Sequence, residues 1–126
     1  MDWFGFFLPR FKLRRQPPES LTPPLPEDVE RLAELRQMGS RLELPHPVRA
    51  FLSLPNEARA REGEEQLRKE GFSCQVRAAA DGSWVLTSVT HIVPTPGAIT
   101  HLREQMEGFA GVLDGRFSGW DAPPVL

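Results

Sequence analysis

The stretch 94-PTPGAITHLREQMEGFAGVLDGRFSGWD-121 contains a helix with both ends marked and runs directly into a strand. Thr95 can cap the helix with its hydroxyl, and Pro96 stands at the first helical position, where its missing N–H costs nothing. Ile99, Leu102, Met106, Phe109, Ala110 and Leu113 recur at three- and four-residue steps and form one apolar stripe. Gly115 is expected to stop the helix in the left-handed C′ conformation. Arg116 to Trp120 is short and aromatic and is closed by Ala122-Pro123-Pro124, which reads as a final strand lying beside an earlier one.

Upstream, Trp84 to Val93 reads as a strand, preceded by Asp81-Gly82, a two-residue hairpin signal. Its phase is mixed, with Trp84 and Leu86 on one face and Val89 and Val93 on the other, so either a bulge or two covered faces is expected. The partner strand alternates Phe72, Cys74, Val76 and Ala78 with Ser73, Gln75 and Arg77. Before it, Asn56 caps a helix over 57–70 that turns Ala58, Ala60, Gly63 and Leu67 inward and ends at Gly71. Glycine costs about 1 kcal/mol against alanine inside a helix, so Gly63 marks a close approach of helix and sheet. Pro45-His46-Pro47 opens the first strand, in which Val48, Ala50, Leu52 and Leu54 alternate with Arg49, Phe51 and Ser53. Strand, helix, strand, strand, helix, strand with right-handed crossovers gives an α+β, ferredoxin-like βαββαβ sandwich. Its four-stranded antiparallel sheet has the order 4-1-3-2, with both helices on one face.

Three pieces precede this unit. Residues 27–38 read as a helix with acids Glu27, Asp28 and Glu30 at its positive end and a weak apolar face of Val29, Leu32, Ala33 and Leu35, stopped by Gly39-Ser40. It is expected to belong to the same domain, 27–126. Residues 16–26, QPPESLTPPLP, hold five prolines in eleven residues and form a semi-rigid linker. Residues 1–15 form an arm that packs Trp3, Phe4, Phe6, Phe7, Leu8, Phe11 and Leu13 beside a basic cluster. That much aromatic surface suits a cover folded on its own domain, a docking peptide for a protein partner, or a peripheral membrane contact. With the helix 27–38, it is the material available to cover the second face of the sheet.

At 126 residues and 40% hydrophobic, the chain supports one compact domain of about 80–100 residues plus an extension. Arg10, Lys12, Arg14 and Arg15 against Asp2 make the arm +3, so the other 111 residues hold −5 of an overall −2. The single cysteine, Cys74, excludes an internal disulfide and a multi-cysteine metal site, and reads as a small buried strand residue. No run reaches the ~18 apolar residues of a spanning helix, and in the first fifteen residues the basic cluster follows the apolar run, unlike a secretory signal. A cytoplasmic protein, with peripheral membrane contact through the arm as an option, is the expectation.

No catalytic, cofactor or metal constellation emerges. His46, His91 and His101 form no HxH, HxxxH or HExxH pattern, and no GxSxG, P-loop or GxGxxG occurs. Glu104 and Glu107 read as a solvated helix face. The same strand and helix order underlies the RRM module, but only Phe51 offers a first-strand aromatic, and SWVLTSVTHIV lacks the third-strand pattern. Direct nucleic-acid binding is not expected.

The series MGSRLELPHPVRAFLSLPNEARA, EGF at 70–72, Trp84, VPTPGAITHLREQMEGFA and DGRFSGWD, over about residues 35–125, resembles the family of the regulator of ribonuclease E activity B. The resemblance implies a ferredoxin-like fold and a non-catalytic role, inhibition of the endoribonuclease E by protein contact. Trp120 and Asp121, in the family's closing aromatic-x-Gly-Trp-acid signature, are candidates either for packing or for partner contact. Glu57, Glu62, Glu64 and Glu65 are candidates for meeting a basic surface on an endoribonuclease or another protein partner. Trp3, Phe4, Phe6, Phe7 and Phe11 are candidates for an alternative role, docking an accessory subunit to a larger complex or a membrane surface.

Overall fold

The computed structural model describes residues 16–126, and the aromatic arm lies outside the described residues. In chain order the elements are α1 (Pro26–Gln37), β1 (His46–Leu54), α2 (Glu57–Lys69), β2 (Ser73–Ala78), β3 (Trp84–Ile92), α3 (Pro96–Val112) and β4 (Arg116–Asp121). The strands form one antiparallel sheet in the order β2-β3-β1-β4, the spatial order 4-1-3-2. One sheet face carries Val48, Ala50, Leu52, Leu54, Leu86 and Ile92, all essentially inaccessible, and helices α2 and α3 pack on it. From α3 come Ile99, Leu102, Met106, Ala110 and Leu113, while Phe109 stays half-buried.

Capping works largely as the sequence predicts. Thr95 Oγ1 accepts from Ala98 N–H, and Asn56 Oδ1 accepts from Arg59 N–H. Gly39 and Gly71 take φ of 88° and 94° beyond α1 and α2. The end of α3 differs. Asp114, at φ 62°, is the left-handed residue, and Gly115 N–H returns to Ala110 C=O at 2.8 Å. Glycine at 115 is required by space: an added Cβ would run into the Ser53 carbonyl oxygen and Leu54 Cδ2. Gly63 is also a close approach, where a Cβ would lie 2.8 Å from Leu86 Cδ2 and 2.9 Å from Leu113 Cδ1. Ala58, expected inward, is exposed.

Two readings of the β2–β3 hairpin are corrected. The turn is longer than two residues: Gly82 N–H bonds Ala79 C=O, Ala79 N–H bonds Ser83 C=O, and Gly82 takes φ 90°, a type I turn closed by a left-handed glycine. Asp81 Oδ1 accepts from both Ser83 N–H and Ser83 Oγ–H. Strand β3 keeps one continuous register with both neighbours and needs no bulge. Its core positions are Leu86, Ser88, Thr90 and Ile92, so two buried positions are polar, which blurred the phase of the sequence. Both are small and lie beside Ala50 and Val48.

The bulge occurs in β4. Phe51 pairs Gly119 and Leu52 pairs Phe117, leaving Ser118 as the extra residue, with Gly119 at φ 136°. This rephasing puts Phe117 and Trp120, three residues apart, on the same helix-bearing face. Trp120, opposite Ala50, is 5% exposed. Its indole N–H donates to Asp28 Oδ1 at 2.9 Å. Arg103 of α3 grips the same carboxylate, Nη2 at 2.7 Å from Oδ1 and Nε at 3.0 Å from Oδ2, and lies 5.2 Å from the Phe117 ring centroid. Asp28, read from the sequence only as an acid at the positive end of a helix, is 1% exposed and joins α1 to α3 and β4. Helix α1 thus sits on the helix side of the sheet, burying Leu32 and Leu35 but leaving Val29 and Ala33 accessible.

Both ends of the described chain are tied down. Gln16 exchanges two hydrogen bonds with the backbone of Val93, at 2.7 and 2.8 Å; Glu19 accepts from Thr95 Oγ1; and Ser20 and Thr22 hydroxyls donate to Glu104. At the other end, His46, wholly buried, sets Nδ1 2.8 Å from Leu44 C=O and Nε2 2.6 Å from Ser40 Oγ. Ser40 Oγ accepts from Val125 N–H, and Arg41 N–H donates to Val125 C=O.

Burial raises the Asp28 pKa, but the hydrogen bonds from Arg103 and Trp120 and the charges of Arg103 and Arg31 outweigh it and leave the carboxyl below its usual value. A carboxylate lowered on folding adds stability above about pH 4 and loses it as pH falls through the folded value. Asp28→Asn, which removes the buried bidentate partner of Arg103 and leaves it only the longer pairs to Glu27 and Glu107 at 3.7 and 3.8 Å, should cost about 3 kcal/mol at pH 7. In urea titrations the wild type should lose stability more steeply than Asp28→Asn between about pH 5 and pH 3. The glycines of the helix layer should separate by sign. Gly115→Ala should destabilise by about 1–3 kcal/mol. Gly108→Ala, with nothing within 4 Å of the added Cβ, should stabilise by about 0.5–1 kcal/mol in the same titration.

Candidate functional site

The outward residues of the four strands assemble a second sheet face, opposite α2 and α3. Strand pairing aligns it in three rows across all four strands, Ser73, Val89, Arg49 and Asp121; Gln75, Thr87, Phe51 and Gly119; Arg77, Val85, Ser53 and Arg116, with the pair Pro47 and His91 beyond the first. The central side chains are half-buried and the rim is exposed. No helix among the described residues covers this face, because Asp28 holds α1 on the other side. Arg49 makes a bidentate pair with Asp121, at 2.7 and 2.8 Å, and its guanidinium lies 5.7 Å from the Phe51 ring centroid. Gly119 adds no side chain beside Phe51, so the ring can be reached from the β4 edge. There a polar cleft of about 330 Å³ is lined by Phe51, Gly119, Asp121, Glu27 and Arg31.

The closing signature is therefore divided by the sheet. Trp120 belongs to the core and to Asp28, while Asp121 stands on the open face with Arg49. Phe51 was legible as an outward aromatic. The Arg49–Asp121 pair was not, because it joins residues 72 positions apart.

The acids of α2 lie within a ladder of ion pairs on their own helix. Glu57 pairs with Arg61, Glu62 with Arg59, Glu64 with both Arg61 and Arg68, and Glu65 with Lys69 at 4.0 Å. Arg59 also reaches Asp114. Glu64 is the least accessible of them, its side chain 16% exposed, whereas Glu57, Glu62 and Glu65 are exposed. These pairs make α2 a nearly balanced helix and not a free negative surface. Trp3, Phe4, Phe6, Phe7 and Phe11 lie outside the described residues.

Two further places have chemistry. Burial pushes the Cys74 thiol up to about 11, against the opposing charge of Arg68, so its thiolate is scarce near neutral pH. The Ser40–His46 contact has the separation of a nucleophile and base. However, Ser40 is 7% exposed and its hydroxyl oxygen already accepts from Val125 N–H, so the geometry serves to hold the C-terminal tail. Sequence reasoning did not pair these two residues, and HP within PHP signalled only a strand start. Among the described residues no group of three or more His, Cys, Asp and Glu could hold a metal, and no helix is long and apolar enough to cross a membrane.

An apolar groove of about 620 Å³ lies between α1 and the β3–α3 turn, walled by Val29, Ala33, Leu42, Val93 and Pro96. Val93, one of its walls, is the residue whose backbone Gln16 hydrogen-bonds.

No curated protein matches the chain. The family model described as "Regulator of ribonuclease activity B" matches residues 26–122. That span takes in α1, the whole sheet, α2 and α3, and both ends of the Asp28–Trp120 contact. By this match, the chain belongs to the regulator of ribonuclease activity B family.

Proposed function

We propose that this protein is a non-catalytic regulator that binds a ribonuclease E-type endoribonuclease and slows it by protein contact. The observation that carries the reading is the family match over the entire described fold, from the first residue of α1 to just past β4. The open face supports it. A sheet surface with a half-buried aromatic centre, an ordered Arg49–Asp121 pair and a charged rim is suited to a protein partner, since orientation comes from polar groups and affinity from the apolar middle. The potential nucleophiles point the same way: Cys74 is held as a thiol, and Ser40 is closed off by the C-terminal tail. The chain would act in the cytoplasm, where such a ribonuclease works on RNA.

Purified ribonuclease E, given a fluorogenic RNA substrate, should be slowed by stoichiometric amounts of the full-length chain, while the chain alone should leave that RNA intact. Absence of both binding and slowing would end the reading. Neutralising Glu57, Glu62 and Glu65 to Gln in one variant tests the α2 surface. Because these acids already have partners on their own helix, affinity should change by less than about threefold at physiological salt. A loss of about tenfold or more would move the contact to α2.

A further inference from the structure

We infer that the open sheet face is the docking surface and that it takes an extended, acidic segment of the protein partner; this deepens the function proposed above and rests on it. The argument is charge complementarity on a surface of defined size. Outside the arm the chain carries −5, yet the three rows of this face present Arg49, Arg77 and Arg116 against Asp121 alone. Asp121 is engaged by Arg49. Neither Arg77 nor Arg116 has an ion-pair partner within 4.0 Å among the described residues, although the Arg116 charge reaches the Asp81 carboxyl in the β2–β3 turn. Arg77 and Arg116 stand at the two ends of one row, with Val85 and Ser53 between them. Four strands at about 4.8 Å spacing set these ends about 14 Å apart, the length of four or five extended residues. Carboxylates at the two ends of such a segment can meet Arg77 and Arg116, with apolar side chains over Val85 and Phe51 between. The three rows hold +2, so the rest of residues 16–126 carries −7, and an acidic segment is steered by that asymmetry toward this face.

The test uses the full-length chain, amide chemical-shift mapping, and as the probe a short peptide with glutamate, valine and glutamate at every second position and serines between, so that when extended the three share one face. The peptide should shift Phe51, Arg77, Val85 and Arg116, and its affinity should fall as salt rises from about 50 mM to about 300 mM. The double variant Arg77→Glu/Arg116→Glu, with both changes on exposed strand positions, should keep the wild-type melting temperature and weaken peptide binding about tenfold or more. Arg77→Lys should retain most of it. Shifts confined to α2 or the α1 groove would overturn the inference, as would unchanged affinity in a folded double variant. Tighter binding of oligouridylate than of the peptide on the same residues would overturn it in favour of a nucleic-acid surface. Ribonuclease E then separates the two proposals. If it binds the wild type and the folded double variant equally, the surface assignment fails and the regulatory reading stands. If the peptide maps to this face but ribonuclease E is not bound, the surface stands and the choice of partner fails.

Discussion

The Asp28 carboxylate holds together three elements that are far apart in the chain. It accepts two bonds from Arg103 and one from the Trp120 indole, and it is almost wholly removed from solvent. A buried charge is costly unless its lone pairs are met, and here a bidentate guanidinium and an N–H meet them. The arrangement is conditional on every participant. Without the indole the carboxylate loses a donor, and without Arg103 it is buried and uncompensated. Its contribution is therefore best understood as specificity: α1 has a weak apolar face, only Leu32 and Leu35 being buried hydrophobics on it, and the charge contact selects the place where those two leucines dock.

That selection determines which surface is left open. Had α1 crossed to the second sheet face, Phe51 and its neighbours would have been covered. Instead α1 lies beside α3, and the rows containing Arg49, Phe51, Arg77 and Arg116 remain accessible among the described residues. The β4 bulge is part of the same device: with Phe117 inward on α3, only the extra residue at Ser118 lets Trp120 also turn inward to meet Asp28 and so leaves Asp121 outward to meet Arg49. A regular strand with Trp120 inward would have sent Phe117 out.

The physical economy fits a regulator acting by contact. Reactive groups are sequestered, with Cys74 held protonated by burial and Ser40 engaged at both its donor and acceptor sides. The described linker is hydrogen-bonded from Gln16 to Thr22 onto Val93, Thr95 and Glu104, beside the apolar groove.

Local physics let the sequence alone determine the elements and their order. Thr95 and Asn56 cap helices through nearest-neighbour hydrogen bonds, alternation in 48–54 sets a strand, and the order of elements with right-handed crossovers yields the 4-1-3-2 sheet. The close approach at Gly63 was legible because glycine there has a cost that only packing explains. The role of Gly115 was not, since handedness and space favour the same residue, and here Asp114 takes the left-handed turn. In β3, Ser88 and Thr90 hid the core phase because pattern reading assigns small polar residues outward. The open face and the candidate site on it were decided only in the tertiary structure. Which face Asp121 occupies depends on a bulge for which the only local mark is Gly119, a residue that equally fits a close strand approach. Whether Asp28 is a solvated helix acid or a buried anchor depends on Arg103 and Trp120, 75 and 92 residues away, and periodicity carries no information about contacts at that separation.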